Sequence, residues 1–341
     1  RQMCIRDRFY TLHVLATALF DRPAFQNVIC HGILLADDGA KLSKKLRNYT
    51  EPELIFENQG SDALRWYFMS TNIVRGGDTR ISDQAIDDVV RQVILPIWNA
   101  YSFFTLYANV EGHRATFTPD PGPDADLLDR YILAKTRDLV AAIEANMDDY
   151  DLPGAAMEIQ AFIDALNNWY IRRSRRRFWK AGQGSDKLEA YATLFQVLRN
   201  LSRVIAPFVP FIADGIHRAL KQPGDPESVH LYFFPEKEAT MNRDSDLEQR
   251  MELVLSAVTM GRALRAKHQL KIRQPLRQIT LITATPEAQR ILEDLGELIT
   301  DELNVKSVEI SRDEKDLVEL SAKANFKLLG RRICLLYTSD A

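Results

Sequence analysis

Apolar positions along the first eighty residues change period more than once. Leu12, Leu15, Ala16 and Leu19 fall at near-helical spacing and predict a helix over 9–20, stopped by Asp21-Arg22-Pro23. The apolar run Val28 to Ala36 reads as a buried strand. Asp37-Asp38-Gly39 then supplies a turn, because Gly tolerates positive φ and Asp can bond its own backbone. Pro52 to Asn58 predicts a short helix, and Ser61 or Asp62 caps a second that runs through Leu64 and Tyr67. This helix–strand order suits the second half of a nucleotide-binding α/β domain. Arg75-Gly76-Gly77-Asp78 is a Gly-rich turn without the spacing of a phosphate cradle, so it reads as structural.

From Ser82 the period becomes helical and stays so. Ile86, Val89, Val93, Ile97, Tyr101 and Phe104 form a wide buried face on a helix over 83–110, with a kink expected at Pro96. A Pro- and Gly-rich connection covers 113–124. Helices at about 125–147, 152–180 and 185–220 then complete the pattern of an antiparallel bundle. A polar linker at 236–246 leads to a helix over 247–268 with a basic end, which suits the macrodipole. A strand (278–283), a helix (286–303) and a strand (305–310) follow. The fold class predicted is therefore α/β (1–82), then all-α (83–235), then a small mixed α/β portion (236–341).

Composition narrows the picture only slightly. The 341 residues, 46% hydrophobic and 27% charged, suit a globular protein of two or three domains. A net charge of −3 excludes a global nucleic-acid signature, so any RNA-binding surface must be local. No apolar run reaches the roughly 18–20 residues of a membrane helix. Cys4, Cys30 and Cys334 form no CxxC pair, which suggests neither a zinc knuckle nor a disulfide framework, and a cytoplasmic location is expected. Arg1 to Arg8 carries no targeting pattern. That stretch and Cys334 to Ala341 resemble translated sequencing-adapter sequence, so the authentic protein is expected over about 9–330, as a fragment of a longer chain.

Two stretches carry candidate chemistry. Lys41 and Lys44 stand at i and i+3 with Ser43 between them, on the loop after the Asp-Gly turn. Lysine is a compact, mobile charge able to follow a phosphate as its charge shifts. Taken alone, the same run reads as a solvated surface loop. The second stretch places five arginines in six residues: Arg172, Arg173, Arg175, Arg176 and Arg177. At about 100° per residue they span much of a helix circumference. Arg172 with Arg176 and Arg173 with Arg177 are like-charged i,i+4 neighbours, an arrangement that costs stability unless a polyanion or internal carboxylates meet it. Both a salt-bridged scaffold and an RNA backbone contact are open readings. Trp169, Tyr170, Phe178 and Trp179 either anchor this helix in the core or stack on bases.

Asn27-Val28-Ile29-Cys30-His31-Gly32, Lys41-Leu42-Ser43-Lys44-Lys45 and Leu46-Arg47-Asn48-Tyr49 together resemble the KMSKS region of the class I aminoacyl-tRNA synthetases, and among them the isoleucyl-tRNA synthetases. Leu42 stands for the family's Met, a volume-conserving change. Lys45 stands for its final Ser and adds a charge. The blocks Gly60 to Tyr67, Trp169 to Trp179 and Gly261 to Arg277 match the same family. The last has the form found in eukaryotes and a subset of bacteria, which lacks a cysteine zinc cluster.

The resemblance covers 9–330. It implies the C-terminal part of a Rossmann-type catalytic domain, a helical anticodon-binding domain and a small α/β domain. The implied reaction condenses isoleucine with ATP to isoleucyl-adenylate, releases pyrophosphate, and passes the acyl group to tRNA(Ile). In it the resemblance assigns catalysis to Lys41, Ser43 and Lys44, and ATP binding to His31, Gly32, Lys41, Leu42, Ser43 and Lys44. Mg2+ would be shared by the nucleotide. Arg172, Arg173, Arg175, Arg176 and Arg177 are assigned to tRNA. His31 is open between a satisfied loop histidine and a nucleotide contact. The basic segment 262–277 is open between facing tRNA and capping a helix. No zinc and no membrane association are implied, and a monomer is expected. Neither an HIGH-type tetrapeptide nor an editing domain occurs in the sequence, and both are expected upstream. Valyl- or leucyl-tRNA synthetases share this architecture. A non-catalytic tRNA-binding protein would keep the bundle but has no need of the lysine loop.

Overall fold

The computed structural model describes residues 9–112, 125–179, 184–235 and 244–312. The predicted connection at 113–124, most of the linker at 236–246 and both adapter-like ends lie outside these residues. The chain forms two units, 1–244 and 245–341.

In the first unit, α1 (Thr11–Phe20) leaves Leu12, Leu15 and Leu19 exposed. The predicted strand over 28–36 contracts to β1 (Leu34–Leu35), which pairs in parallel with β2 (Thr79–Arg80). Extended backbone becomes strand only where a partner carries its ladder, and β2 offers only two residues. Next, α2 (Pro52–Asn58), α3 (Ser61–Ser70) and α4 (Asp83–Val89) share a core of Ile55, Ala63, Leu64, Tyr67 and Ile86. The cap expected from Ser61 or Asp62 is absent, because Gly60 takes the N-cap position at φ +87°. The Asp62 carboxylate instead accepts from the Phe211 and Ile212 N–H groups at 3.3 and 2.8 Å, and so caps a distant helix.

Two long helical rods follow. The first joins α4, a π-helical segment (Val90–Ile94) and α5 (Leu95–Glu111). Pro96, which cannot donate to the helix, sits at the start of α5, just after the π turn, and the rod continues through it. After α6 (Leu127–Asp148), N-capped by Asp126, the second rod joins α7 (Leu152–Asp164), a π segment (Ala165–Ile171) and α8 (Arg172–Trp179). The single helix expected over 185–220 is two, α9 (Ser185–Ile205) and α10 (Pro210–Leu220). Pro207 and Pro210 cannot donate to a helical ladder, which explains the break. The freed Pro207 carbonyl accepts from Arg65 Nη2 at 2.9 Å. Ile132, Ile143, Ile159, Leu166, Leu194 and Phe208 are buried at the centre of the bundle.

The second unit holds α11 (Ser245–Lys267), β3 (Ile279–Ile282), α12 (Pro286–Asp294), α13 (Gly296–Leu303) and β4 (Val308–Ser311). The helix expected over 286–303 breaks at Leu295-Gly296. β3 and β4 pair in parallel, Ile279 opposite Val308. Leu247, Met251, Val254 and Val258 recur at i+4 and i+3 along α11 and are buried with Leu292, Ile299 and Leu303. Among the described residues, no helix is long and apolar enough to cross a membrane.

Candidate functional site

The lysine loop is built from backbone and amide bonds that leave its ammonium groups unused. The predicted turn forms, with Gly39 at φ +81° and Ala36 and Ala40 bonded across it at 2.8 Å. Asp38 Oδ1 accepts the Ala40 N–H at 2.8 Å, and Lys41 bridges back to Leu35. Asn48 then closes the loop: its Oδ1 accepts the Ser43 N–H at 2.9 Å, and its Nδ2 donates to the Lys41 carbonyl at 3.3 Å. Lys41, Lys44 and Lys45 are exposed, and none has a carboxylate partner among the described residues. Ser43 and Leu42 are half-buried. The loop is thus a braced ring presenting three cations. Sequence reasoning passed over Asn48, although an Asn a few residues past a turn is a known backbone clamp.

His31 and Gly32 lie just before β1. The His31 ring is exposed, with Nδ1 bonded to the Gly32 carbonyl at 2.8 Å. A carbonyl can only accept, so Nδ1 carries the proton in this contact. Gly32 is buried and donates to the Ile73 carbonyl at 2.8 Å. A Cβ on it would stand 1.8 Å from the Gly77 carbonyl oxygen. The chain's own Gly-rich turn therefore packs against the face of Gly32 where a side chain would stand. That turn is tied to the bundle by an Arg75–Asp151 ion pair, and Asp151 also caps α7 through the Gly154 N–H at 2.9 Å.

The arginine run divides by residue, and Arg177 is a correction to the expected tRNA set. Its guanidinium has left the surface, with the side chain only 12% exposed. It meets Asp129 at 2.7 Å, Asp186 at 2.7 Å and Asp126 at 3.4 Å, so it clamps α8 to α6 and α9. The Tyr170 hydroxyl donates to the other Asp129 oxygen at 2.6 Å. Burial pushes the Asp129 carboxyl above its usual range, against the downward pull of Arg177 and Tyr170. Burial and the Asp129 charge together push the Tyr170 phenol well up. Arg173 is half-buried, its guanidinium 5.3 Å from the Trp169 ring centre. Arg172, Arg175 and Arg176 are exposed. Arg172 and Arg175 border a groove of about 340 Å³, together with Pro96, Asn99, Asn167 and Asn168. Trp169, Tyr170 and Phe178 are core anchors, whereas Trp179 is 55% exposed.

In the second unit, two of the basic residues expected at the end of α11 are engaged by the protein itself. Arg262 pairs with Glu302. Arg265 is 4% exposed and donates to the carbonyls of Lys271, Gln274, Leu303 and Asn304 at 2.6–3.1 Å.

Residues 4–82 match the family model for tRNA synthetases class I (I, L, M and V), and residues 129–280 match that for the anticodon-binding domain of tRNA ligase. The chain is 46% identical to the isoleucine–tRNA ligase of Treponema denticola and 42% identical to that of Protochlamydia amoebophila. Each match covers 96% of this chain and 31% of the relative, so the chain spans about a third of the length of the curated relatives it matches. Among solved structures, the LeuRS of Agrobacterium radiobacter K84, solved as a LeuRS-tRNA-LeuAMS ternary complex, aligns with a TM-score of 0.50 at 18% identity. That likeness covers 70% of this chain and 27% of the other, and it supports the fold alone. The two family models and the isoleucine–tRNA ligase relatives together make this chain similar to the class I aminoacyl-tRNA synthetases.

Proposed function

We propose that this chain is the portion of an isoleucine–tRNA ligase that carries the phosphate-facing lysine loop (within 1–82), the anticodon-binding bundle (83–235) and a small appended domain (236–341). The observation that carries the reading is the lysine loop itself: three ammonium groups with no carboxylate partner among the described residues, on a ring closed by Asn48. Such a ring suits a polyphosphate whose charge shifts during reaction. When isoleucine attacks ATP, negative charge builds on the α-phosphate and the leaving pyrophosphate. Lys41 and Lys44, carried on a braced backbone with their ammonium groups mobile, move onto that charge and stabilise it. Ser43 holds the loop or a phosphate oxygen, and Lys45 adds a third cation at the position where the family has Ser. His31 stands at the entrance to β1 as a nucleotide contact.

No three His, Cys, Asp or Glu side chains gather in a metal-holding group among the described residues. Magnesium would arrive on the phosphates of ATP, since this hard cation keeps several waters and favours phosphate oxygens. The exposed Arg172, Arg175 and Arg176 face tRNA(Ile). The protein works as a monomer in the cytoplasm.

The test is isoleucine-dependent ATP–pyrophosphate exchange in a chimera in which this chain replaces the matching third of the Treponema denticola relative. Lys44→Ala should lower exchange by roughly 10²- to 10³-fold, the usual loss for one transition-state donor, and leave tRNA affinity unchanged. Equal losses in both would remove the role given to Lys44. Tighter binding of the chain to tRNA(Val) or tRNA(Leu) than to tRNA(Ile) would correct the substrate.

A further inference from the structure

Charge along residues 262–302 is sharply segregated. Between Arg262 and Thr283 there are six Lys or Arg residues and no Asp or Glu. Residues 284–302 hold six carboxylates and one arginine. Of the basic run, Arg262 is paired with Glu302 and Arg265 is buried, as described. The remaining cations, Lys267, Lys271, Arg273 and Arg277, are exposed with no partner among the described residues.

The segment that presents them is held from beneath. Arg265 grips the carbonyls of Lys271 and Gln274, Asn304 donates to the Ile272 carbonyl at 3.0 Å, and the Leu276 N–H bonds the Asn304 carbonyl at 3.1 Å. A surface loop that repels itself electrostatically is normally free to spread its charges. Here a buried guanidinium and an asparagine fix the backbone of 271–276, which carries Lys271 and Arg273 and leads directly to Arg277. Along 267–277, Ile272 is the sole large apolar side chain open to solvent. A protein interface is usually anchored by a desolvated apolar or aromatic cluster, and this segment offers none. A phosphodiester backbone asks for clustered cations and little else.

We infer that residues 267–277 form a preorganised RNA-backbone contact through Lys267, Lys271, Arg273 and Arg277, with Arg265 and Asn304 as positioning residues beneath it. The inference rests on the proposed function for the identity of the RNA, which is tRNA.

The experiment compares tRNA binding by the whole chain with that of a Lys271→Ala/Arg273→Ala/Arg277→Ala variant across a salt series. The control is Arg290→Ala/Lys306→Ala/Arg312→Ala, which removes three exposed cations elsewhere on the same unit. The loop variant should bind about tenfold more weakly or worse at low salt. Its log affinity should fall less steeply with log salt, by roughly 0.7–0.9 for each lost phosphate contact. The control should change neither value, and all three proteins should melt at the same temperature. An unchanged salt slope in the loop variant, or an equal loss in the control, overturns the inference and leaves the proposed function standing. A wild-type chain that binds no tRNA overturns both. Binding to an acidic protein without binding to RNA overturns the assignment of partner.

Discussion

Adjacent arginines on α8 differ in what holds them, and their removal should differ accordingly. Arg177→Ala leaves Asp129, 1% exposed, without its counter-charge, and should cost about 3–5 kcal/mol in urea unfolding. Arg176→Ala, at an exposed position, should stay within about 0.5 kcal/mol. Similar losses at the two sites would contradict the division drawn between them. A second residue-scale case is Asp225. Burial alone would raise its carboxyl. Hydrogen bonds from the Tyr232 hydroxyl and the Gln222 N–H, with Arg199 at 2.7 Å, hold it below the usual range. A carboxylate depressed by folding contributes fully above its unfolded pKa of about 3.9. It loses that contribution as pH falls through its folded value. Asp225→Asn should therefore melt lower than wild type at pH 7, and the gap should narrow below about pH 4. A gap of constant size across that range would point to packing instead. The sequence posed both readings of the arginine run but could not divide them, because the division depends on three aspartates brought from 126, 129 and 186.

Among the elements, proline and glycine were more informative than apolar period. The period ran on through Pro207-Phe208-Val209-Pro210 and through Leu295-Gly296, and both predicted helices break there. Pro96, by contrast, was absorbed within a rod, an outcome set by the preceding π turn rather than by proline alone. The strand expected over 28–36 shortens to Leu34–Leu35 because a run of apolar residues does not reveal how long its partner is. Asp62 was recognised as a capping residue but assigned to the wrong helix; only the tertiary fold brings it to Phe211 and Ile212. Asp62→Ala should destabilise the protein by about 1 kcal/mol and accelerate amide hydrogen exchange at Phe211 and Ile212. Unchanged exchange at those two amides would count against the cap.

At the scale of the whole molecule, the two units hold separate cores, and Arg265 is the point on which the smaller one depends. A single guanidinium satisfies four carbonyls there, on the buried side of α11. Arg265→Ala would strand several of those carbonyls, at about 1–3 kcal/mol each. Calorimetry of the chain should then show the transition of the second unit shifted strongly down or lost, with that of the first unit in place. A parallel shift of both would mean the units unfold as one.

The π segment at 165–171 has a consequence of another kind. A π turn holds one residue more than the α turn it replaces, so this rod takes up an extra residue without passing its rotation on to α8. Deleting a single residue there would restore an ordinary helix and leave Arg177 among its three aspartates. Deleting one from α7 with the π turn kept would instead swing α8 by about 100° and bring another arginine to face them. The wide turn is thus a local store of length, the one stretch of this rod where a residue can be lost without exchanging the buried cation for an exposed one.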